Sequence, residues 1–184
     1  INQAFKFHSQ GNIPKAAKYY QYYIDQGFKD HRVFSNYGEI LKDNGQLNEA
    51  EENIKKAIKL NPYNSYDHLN LGSILIQYSR LDEAKIATET ALKLNPTCHK
   101  SHINLGIIYR SNGQLEKAIL STRQAIELNP NSAIAYANLG GILTDLGNLK
   151  QAELSTRKAI ELDPNFAKAH CNLGDILRNL GQSD

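Results

Sequence analysis

Apolar residues recur along most of the chain with the spacing that one face of an α-helix requires. Between residues 133 and 166, the first such stripe consists of Tyr136, Leu139, Gly140 and Leu143, at positions i, i+3, i+4 and i+7. The second consists of Ala152, Thr156, Ala159 and Ile160. Gly147 lies between the stripes, where a glycine turn ends one helix and admits another. Pro164 closes the second helix, because proline cannot continue the helical hydrogen bonds. The pattern predicts a helical hairpin.

This hairpin pattern repeats every 34 residues. The recurring residues are Pro62, Pro96, Pro130 and Pro164, together with Gly38, Gly72, Gly106, Gly140 and Gly174. The period predicts one array over residues 1–184: a partial repeat at 1–30, full repeats at 31–64, 65–98, 99–132 and 133–166, and the first helix of a further repeat at 167–184. A single hairpin cannot bury both of its apolar faces, so we expect neighbouring hairpins to stack.

The 34-residue period, the recurring glycines and alanines, and the closing Asn-Pro pair resemble the tetratricopeptide repeat family, in its asparagine-ladder form. The resemblance covers essentially the whole chain. It implies an all-α fold, a right-handed superhelical solenoid of antiparallel helix hairpins with about five and a half repeats. Thr88, Thr122 and Thr156 depart from the family, which usually has a large aromatic residue there, and Ser79 replaces a turn glycine. We expect the local packing to differ at these positions.

An asparagine returns at the sixth position of every repeat. The series is Asn36, Asn70, Asn104, Asn138 and Asn172. At about 100° per residue, this position faces away from the apolar stripe of its own hairpin, so we expect exposed carboxamides. In the resembled family this arc lines a concave groove, and similar asparagines hold the backbone of an extended peptide. A carboxamide suits this role because it offers a donor and an acceptor at once. The alternative is that the amides bond to a neighbouring helix.

The same arc is apolar in its middle and charged towards its ends, which is typical of a recognition surface. With the asparagines, the predicted peptide-binding residues are Leu69, Ile103, Ile107, Ile134, Lys100 and Arg110. The alternative is that other helices of the chain cover these apolar side chains.

The histidines and cysteines do not predict a metal site. His68, His102 and His170 occupy a core position of successive repeats, so we expect them to pack inside. Cys98 and Cys171 lie too far apart to form a disulfide, and we expect reduced thiols. No group of residues has the spacing of zinc ligands, so we expect neither a metal nor another cofactor.

The chain contains no phosphate-binding loop, nucleophile elbow or paired-carboxylate motif, so we expect a non-catalytic scaffold for a protein or peptide partner. The alternative is the substrate-recognition arm of a larger enzyme, such as a glycosyltransferase. With 21 Lys+Arg against 19 Asp+Glu and no basic run, the sequence does not favour nucleic acid or a membrane surface as a partner. It has no apolar run of about 20 residues, and we expect a cytoplasmic protein.

The two ends of the sequence prompt two further expectations. The chain begins with Ile1, which suggests a fragment of a longer protein. The last predicted helix has no second helix to cover its apolar stripe. We therefore expect part of this stripe to be open and to favour self-association. The stripe consists of Leu173, Ile176, Leu177 and Leu180.

Overall fold

The computed structural model describes residues 1–181, and all regular structure in that range is helical. The helices are α1 (Asn2–Ser9), α2 (Ile13–Asp25), α3 (His31–Asp43), α4 (Leu47–Leu60), α5 (Ser65–Gln77), α6 (Leu81–Leu94), α7 (His99–Ser111), α8 (Leu115–Leu128), α9 (Ala133–Asp145), α10 (Leu149–Leu162) and α11 (Ala167–Asn179). Consecutive helices pack in pairs, from α1 with α2 to α9 with α10, and α11 follows the last pair. The sequence pattern predicts this pairing.

The chain forms two compact units. Unit 1 comprises residues 1–94 with helices α1 to α6, and unit 2 begins at residue 95 with helix α7. Within unit 1, α2 contacts α3 and α4 contacts α5. Within unit 2, α8 contacts α9 and α10 contacts α11. Within each unit, neighbouring hairpins therefore pack against one another, as the repeat pattern requires. None of the helices in the described range combines the length and the apolar character of a membrane span.

The turn between repeats is held by the residue before proline. In each of the four turns, the side-chain oxygen of this residue accepts a hydrogen bond from the backbone amide two residues later, at 3.1 to 3.3 Å. The four residues are Asn61, Asn95, Asn129 and Asp163. Short polar side chains form such local bonds readily, which is why they suit the end of a helix.

The histidines of the first helices bond to these turns. The Nε2 atoms of His68, His102 and His170 lie 2.9, 3.2 and 2.9 Å from the carbonyl oxygen of the proline six residues earlier. The carbonyl accepts, so Nε2 donates and carries the proton. All three imidazoles are at least partly exposed. The prediction that they pack inside the core is therefore wrong: they tie the first helix to the turn before it.

The turn inside the α5/α6 hairpin keeps the usual backbone shape although serine replaces its glycine. Gly147 has φ +77°, in the left-handed region. Ser79 takes the same turn position with φ +57° and is the one non-glycine residue of positive φ among residues 1–181. A side chain costs roughly 1 kcal/mol in this conformation. Serine in place of glycine therefore destabilises the turn locally but leaves the path of the backbone unchanged.

Glycine and threonine meet where the two helices of a hairpin cross. A Cβ atom on Gly72 would lie 2.5 Å from Thr88 Oγ1, and Gly106 faces Thr122 in the same way. These threonines are fully buried. The crossing is therefore filled by a small pair in place of the family's aromatic residue, and the expected difference in packing is confirmed.

Helix α11 buries one residue of its apolar stripe completely. Ile176 is fully buried in a cluster with Leu139, Leu143 and Ala152. The other stripe residues, Leu173, Leu177 and Leu180, are half-buried. Part of the stripe is therefore accessible, and self-association through this helix stays a prediction.

Candidate peptide-binding faces on the first helices

Each unit has a cavity on the side formed by the first helices of its hairpins. We call these surfaces the first-helix faces: α1, α3 and α5 form the face of unit 1, and α7, α9 and α11 form the face of unit 2. The cavity on unit 2 has a volume of about 250 Å³. It is lined by Gly106, Ile107, Arg110, Ser111, Asn138, Ile142, Asp145 and Lys168.

A bidentate ion pair forms one wall of this cavity. Arg110 Nε lies 2.5 Å from Asp145 Oδ2, and its Nη2 lies 3.0 Å from Asp145 Oδ1. The guanidinium packs directly over Gly141, where an added Cβ would collide with it. A larger residue at this position would displace the guanidinium from its place against α9. The pair leaves Lys168 as a lining cation that makes no ion pair within residues 1–181.

Asn138 lies at the wall of the same cavity with an unused donor. Its side chain is 5% exposed, and its Nδ2 atom is buried without a hydrogen-bond partner in the described part of the chain. A buried donor without a partner costs roughly 1 to 3 kcal/mol. Asn172 is different, because its Nδ2 donates to the carbonyl oxygen of Ala137 at 3.3 Å. Of these two amides, Asn138 is the one whose nitrogen has no hydrogen bond within residues 1–181.

The cavity on the first-helix face of unit 1 has a volume of about 400 Å³. It is lined by Phe5, Arg32, Ser35, Asn36, Asn64 and Tyr66. Asn36 Nδ2 donates to the hydroxyl of Tyr20 at 3.0 Å. In the next repeat, Asn70 Oδ1 accepts from Lys42 Nζ at 2.8 Å. Both amides are thus bonded within the unit, as the alternative for the asparagine series predicts.

A buried carboxylate lies behind this cavity. Asp67 is fully buried and accepts hydrogen bonds from Ser35 Oγ and, at 2.9 Å, from Asn64 Nδ2. Burial raises the pKa of Asp67, and the bonds from Ser35 and Asn64 and the nearby His31 oppose this rise. Sequence reasoning missed Asp67. The available signal was a carboxylate at a position where other repeats have valine, serine or alanine.

The structure places the predicted site residues in three groups. The cavity of unit 2 contains Ile107, Arg110 and Asn138. Leu69 and Ile103 are buried, which is what the alternative for the apolar residues predicts, whereas Ile134 is 54% exposed and Lys100 is also exposed.

The expectation of exposed carboxamides is wrong for Asn70, Asn104 and Asn138, which are 2%, 8% and 5% exposed. The adjacent first helices approach closely enough to cover these amides.

Within residues 1–181, no three histidine, cysteine, aspartate or glutamate side chains are placed to hold a metal ion. Cys98 and Cys171 are both free thiols, the first half-buried and the second exposed.

Stacked helical hairpins, with cavities on their first helices, define a helical-repeat protein of the interaction-scaffold class. Sequence models described as "Tetratricopeptide repeat" match residues 31–64, 68–98, 87–119, 133–166 and 156–184, and one described as "TPR repeat" matches 106–147. The chain belongs to the tetratricopeptide repeat family. It therefore has the all-α fold of that family and is a protein-interaction scaffold.

Solved structures of other tetratricopeptide repeat proteins share this fold. TTC0263 of Thermus thermophilus is 19% identical, with a TM-score of 0.77, and the match covers 97% of each chain. MamA of Desulfovibrio magneticus RS-1 is 22% identical, with a TM-score of 0.73, over 90% of this chain and 94% of MamA. YrrB, described as a tetratricopeptide repeat protein with an unusual peptide-binding site, is 24% identical, with a TM-score of 0.66, over 92% of this chain and 87% of YrrB. At these identities the likeness shows the fold alone. The comparison with curated proteins gave no match.

Proposed function

We propose that the first-helix face of unit 2 binds an extended peptide of a partner protein. The observation that carries the proposal is that Asn138, a residue of the cavity wall, has a buried Nδ2 atom with no hydrogen-bond partner in residues 1–181. A peptide carbonyl is the acceptor that such a donor requires. Bond formation would also remove the cost of the unpaired group, so the energy gained on binding is larger than for an exposed amide.

The rest of the cavity fits a peptide with mixed side chains. Ile107 and Ile142 offer apolar contact, and Lys168 offers a cation that has no ion pair within residues 1–181. Arg110 is neutralised by Asp145 and adds little net charge. A peptide with an apolar residue next to an acidic one matches this lining. The peptide-binding site named for YrrB is a further reason to test peptides.

The test begins with peptides selected from a random display library on the immobilised chain, and their affinity is then measured by isothermal titration calorimetry. We expect Asn138→Ala to weaken binding by at least about tenfold, which corresponds to one lost hydrogen bond of roughly 1.4 kcal/mol. We also expect the melting temperature to stay equal or to rise, because the substitution removes an unpaired buried donor and favours the helix.

The matched control is Asn112→Ala, which changes an exposed asparagine just beyond α7 and should leave binding unchanged. Unchanged affinity of Asn138→Ala would contradict the proposal. A lower melting temperature with lost binding would show that the amide is structural. The alternative of a substrate-recognition arm in a larger enzyme stays a prediction, because it depends on a catalytic domain elsewhere in the protein.

A further inference from the structure

The cavity on the first-helix face of unit 1 has a wall residue, Ser35, whose hydrogen-bonding role depends on Asp67. Ser35 lines this cavity and is 4% exposed. Its Oγ atom donates to Oδ1 of Asp67, the buried carboxylate behind the wall. While this bond is present, the hydroxyl hydrogen is directed away from the cavity. Ser35 then offers the cavity only the lone pairs of its oxygen.

The second hydroxyl and the cation of this wall already have acceptors within unit 1. The Tyr66 hydroxyl donates to a carboxylate oxygen of Glu39. Arg32 forms a bidentate pair with Asp30, with Nε to Oδ1 at 3.1 Å and Nη2 to Oδ2 at 2.7 Å. Ser35 is therefore the hydroxyl of the wall whose hydrogen a change of charge on Asp67 can redirect.

A proton on Asp67 has one suitable position. Oδ2 accepts from Asn64 Nδ2 at 2.9 Å. The orientation of this amide is fixed, because Asn64 Oδ1 accepts from the backbone amide of Tyr66 at 3.1 Å. Oδ1 faces the Ser35 hydroxyl, which can accept as well as donate. Protonated Asp67 therefore donates from Oδ1 to Ser35 Oγ, and the Ser35 hydroxyl is released to donate into the cavity.

The surroundings of Asp67 favour this protonation. Burial raises the pKa of Asp67 and outweighs His31 of α3 and His68 of α5, which favour the carboxylate. Helices α4 and α6 also pack against α5, and their Lys55 and Glu83 line a different cavity together with His68. Both of these residues have ion-pair partners on the second helices. Asp67 therefore takes up its proton at a higher pH than an exposed aspartate does.

We propose that the first-helix cavity of unit 1 binds an extended peptide by a hydrogen bond from Ser35 to a peptide carbonyl, and that a proton on Asp67 switches this bond on. A peptide is the ligand because the chain is a protein-interaction scaffold and every peptide carries backbone carbonyl acceptors. Phe5 and Tyr66 provide aromatic surface in the same wall for a neighbouring apolar side chain. The proposal does not rest on the function proposed for unit 2, because the two cavities share no lining residue.

The probe is a random peptide display library without aspartate, glutamate or histidine, so that the peptides themselves do not titrate. Peptides are bound to the immobilised chain at about pH 4.5 and eluted at about pH 7. Isothermal titration calorimetry then measures their affinity at both pH values. We expect the parent chain to bind them at least about fivefold more tightly at the lower pH, which is the effect of one hydrogen bond.

Three variants assign this pH dependence to the two residues. Asp67→Asn carries a permanent donor where the proton lies, so it should bind at both pH values with the low-pH affinity of the parent chain. Ser35→Ala should bind weakly at both. The matched control is Ser155→Ala, which changes an exposed serine of α10 and should behave as the parent chain does.

Three results would overturn the proposal. The first is that no peptide elutes at the higher pH. The second is a pH dependence that persists in Asp67→Asn, since it would then belong to the histidines. The third is full affinity at low pH in a Ser35→Ala chain with the circular dichroism spectrum of the parent. If Ser35→Ala does not fold, Asp67→Asn decides alone, and Asp67→Ala repeats that test with the residue that two other repeats have at this position, Ala135 and Ala169.

Discussion

At the residue scale, Asp67 is the side chain whose surroundings differ most from those of its counterparts. It lies in α5 and is fully buried. The same position in other repeats is occupied by Val33, Ser101, Ala135 or Ala169. Its carboxylate is held by Ser35 and Asn64, and His31 and His68 also favour the charged form. Burial outweighs these contacts and raises the pKa of Asp67. The native state therefore holds a proton on this group more tightly than the unfolded chain does.

The raised pKa predicts a pH dependence of stability with a definite sign. The contribution of a protonated Asp67 is fully present below its unfolded pKa and is lost as the pH rises through its folded pKa. The free energy of unfolding of the parent chain should therefore rise, relative to that of Asp67→Asn, as the pH falls from about 7 to about 4.5. Urea unfolding followed by circular dichroism measures both. A constant difference across this range would contradict the raised pKa.

Some residue roles follow from sequence spacing alone and could be predicted. Others depend on contacts between repeats and could not. Spacing correctly predicted the glycine turn at Gly147, because its backbone lies in the left-handed region. It did not predict the histidine bonds to proline carbonyls, which depend on the shape of the turn between repeats. It also did not predict the burial of Asn70, because Lys42 of the previous repeat reaches it. Contacts made by long side chains across repeats are not encoded in the period of one helix.

At the scale of helices, the crossing inside three of the hairpins is set by a glycine facing a threonine. Gly106 faces Thr122 across the α7 and α8 crossing, with the Ala118 carbonyl also close. Gly174 occupies the same position in α11, but an added Cβ there would have nothing within 4 Å. The same residue type therefore has two different environments in unit 2.

This difference predicts opposite effects of one substitution. Gly106→Ala should destabilise the chain by about 1 kcal/mol, because overpacking of roughly 1 to 3 kcal/mol exceeds the helix-propensity gain of about 1 kcal/mol. Gly174→Ala meets no such clash and should stabilise by up to about 1 kcal/mol. Thermal unfolding measures both variants, and Thr122→Ala should relieve the cost of Gly106→Ala. Equal stabilisation by both substitutions would refute close packing at the first crossing.

At the scale of the whole molecule, charge is nearly balanced. The 21 basic and 19 acidic residues give a formal net charge of +2, and many of them pair within one helix, as Glu153 does with Arg157 at 2.8 Å. Electrostatic binding of nucleic acid requires several cations free to replace condensed counterions. The sequence has no basic run of this kind, so we expect a protein partner and not nucleic acid.

We therefore predict that the chain binds single-stranded RNA more weakly than about 10⁻⁴ M, the weak end of non-specific binding. Fluorescence anisotropy of a labelled oligouridine at physiological salt measures this, with a basic RNA-binding protein as the positive control. Micromolar binding that weakens steeply with added salt would contradict the prediction and would favour a helical-hairpin array that recognises RNA.

Some of the polar bonds described above join one repeat to the next. Lys42 bonds to Asn70, Arg110 to Asp145, and Asn172 to the backbone of α9. Polar side chains on the first helix of one repeat therefore depend on bonding partners in an adjacent repeat. A single 34-residue module moved into another scaffold would lose the partners of these side chains, so protein engineers who wish to transplant a binding face must carry adjacent modules together.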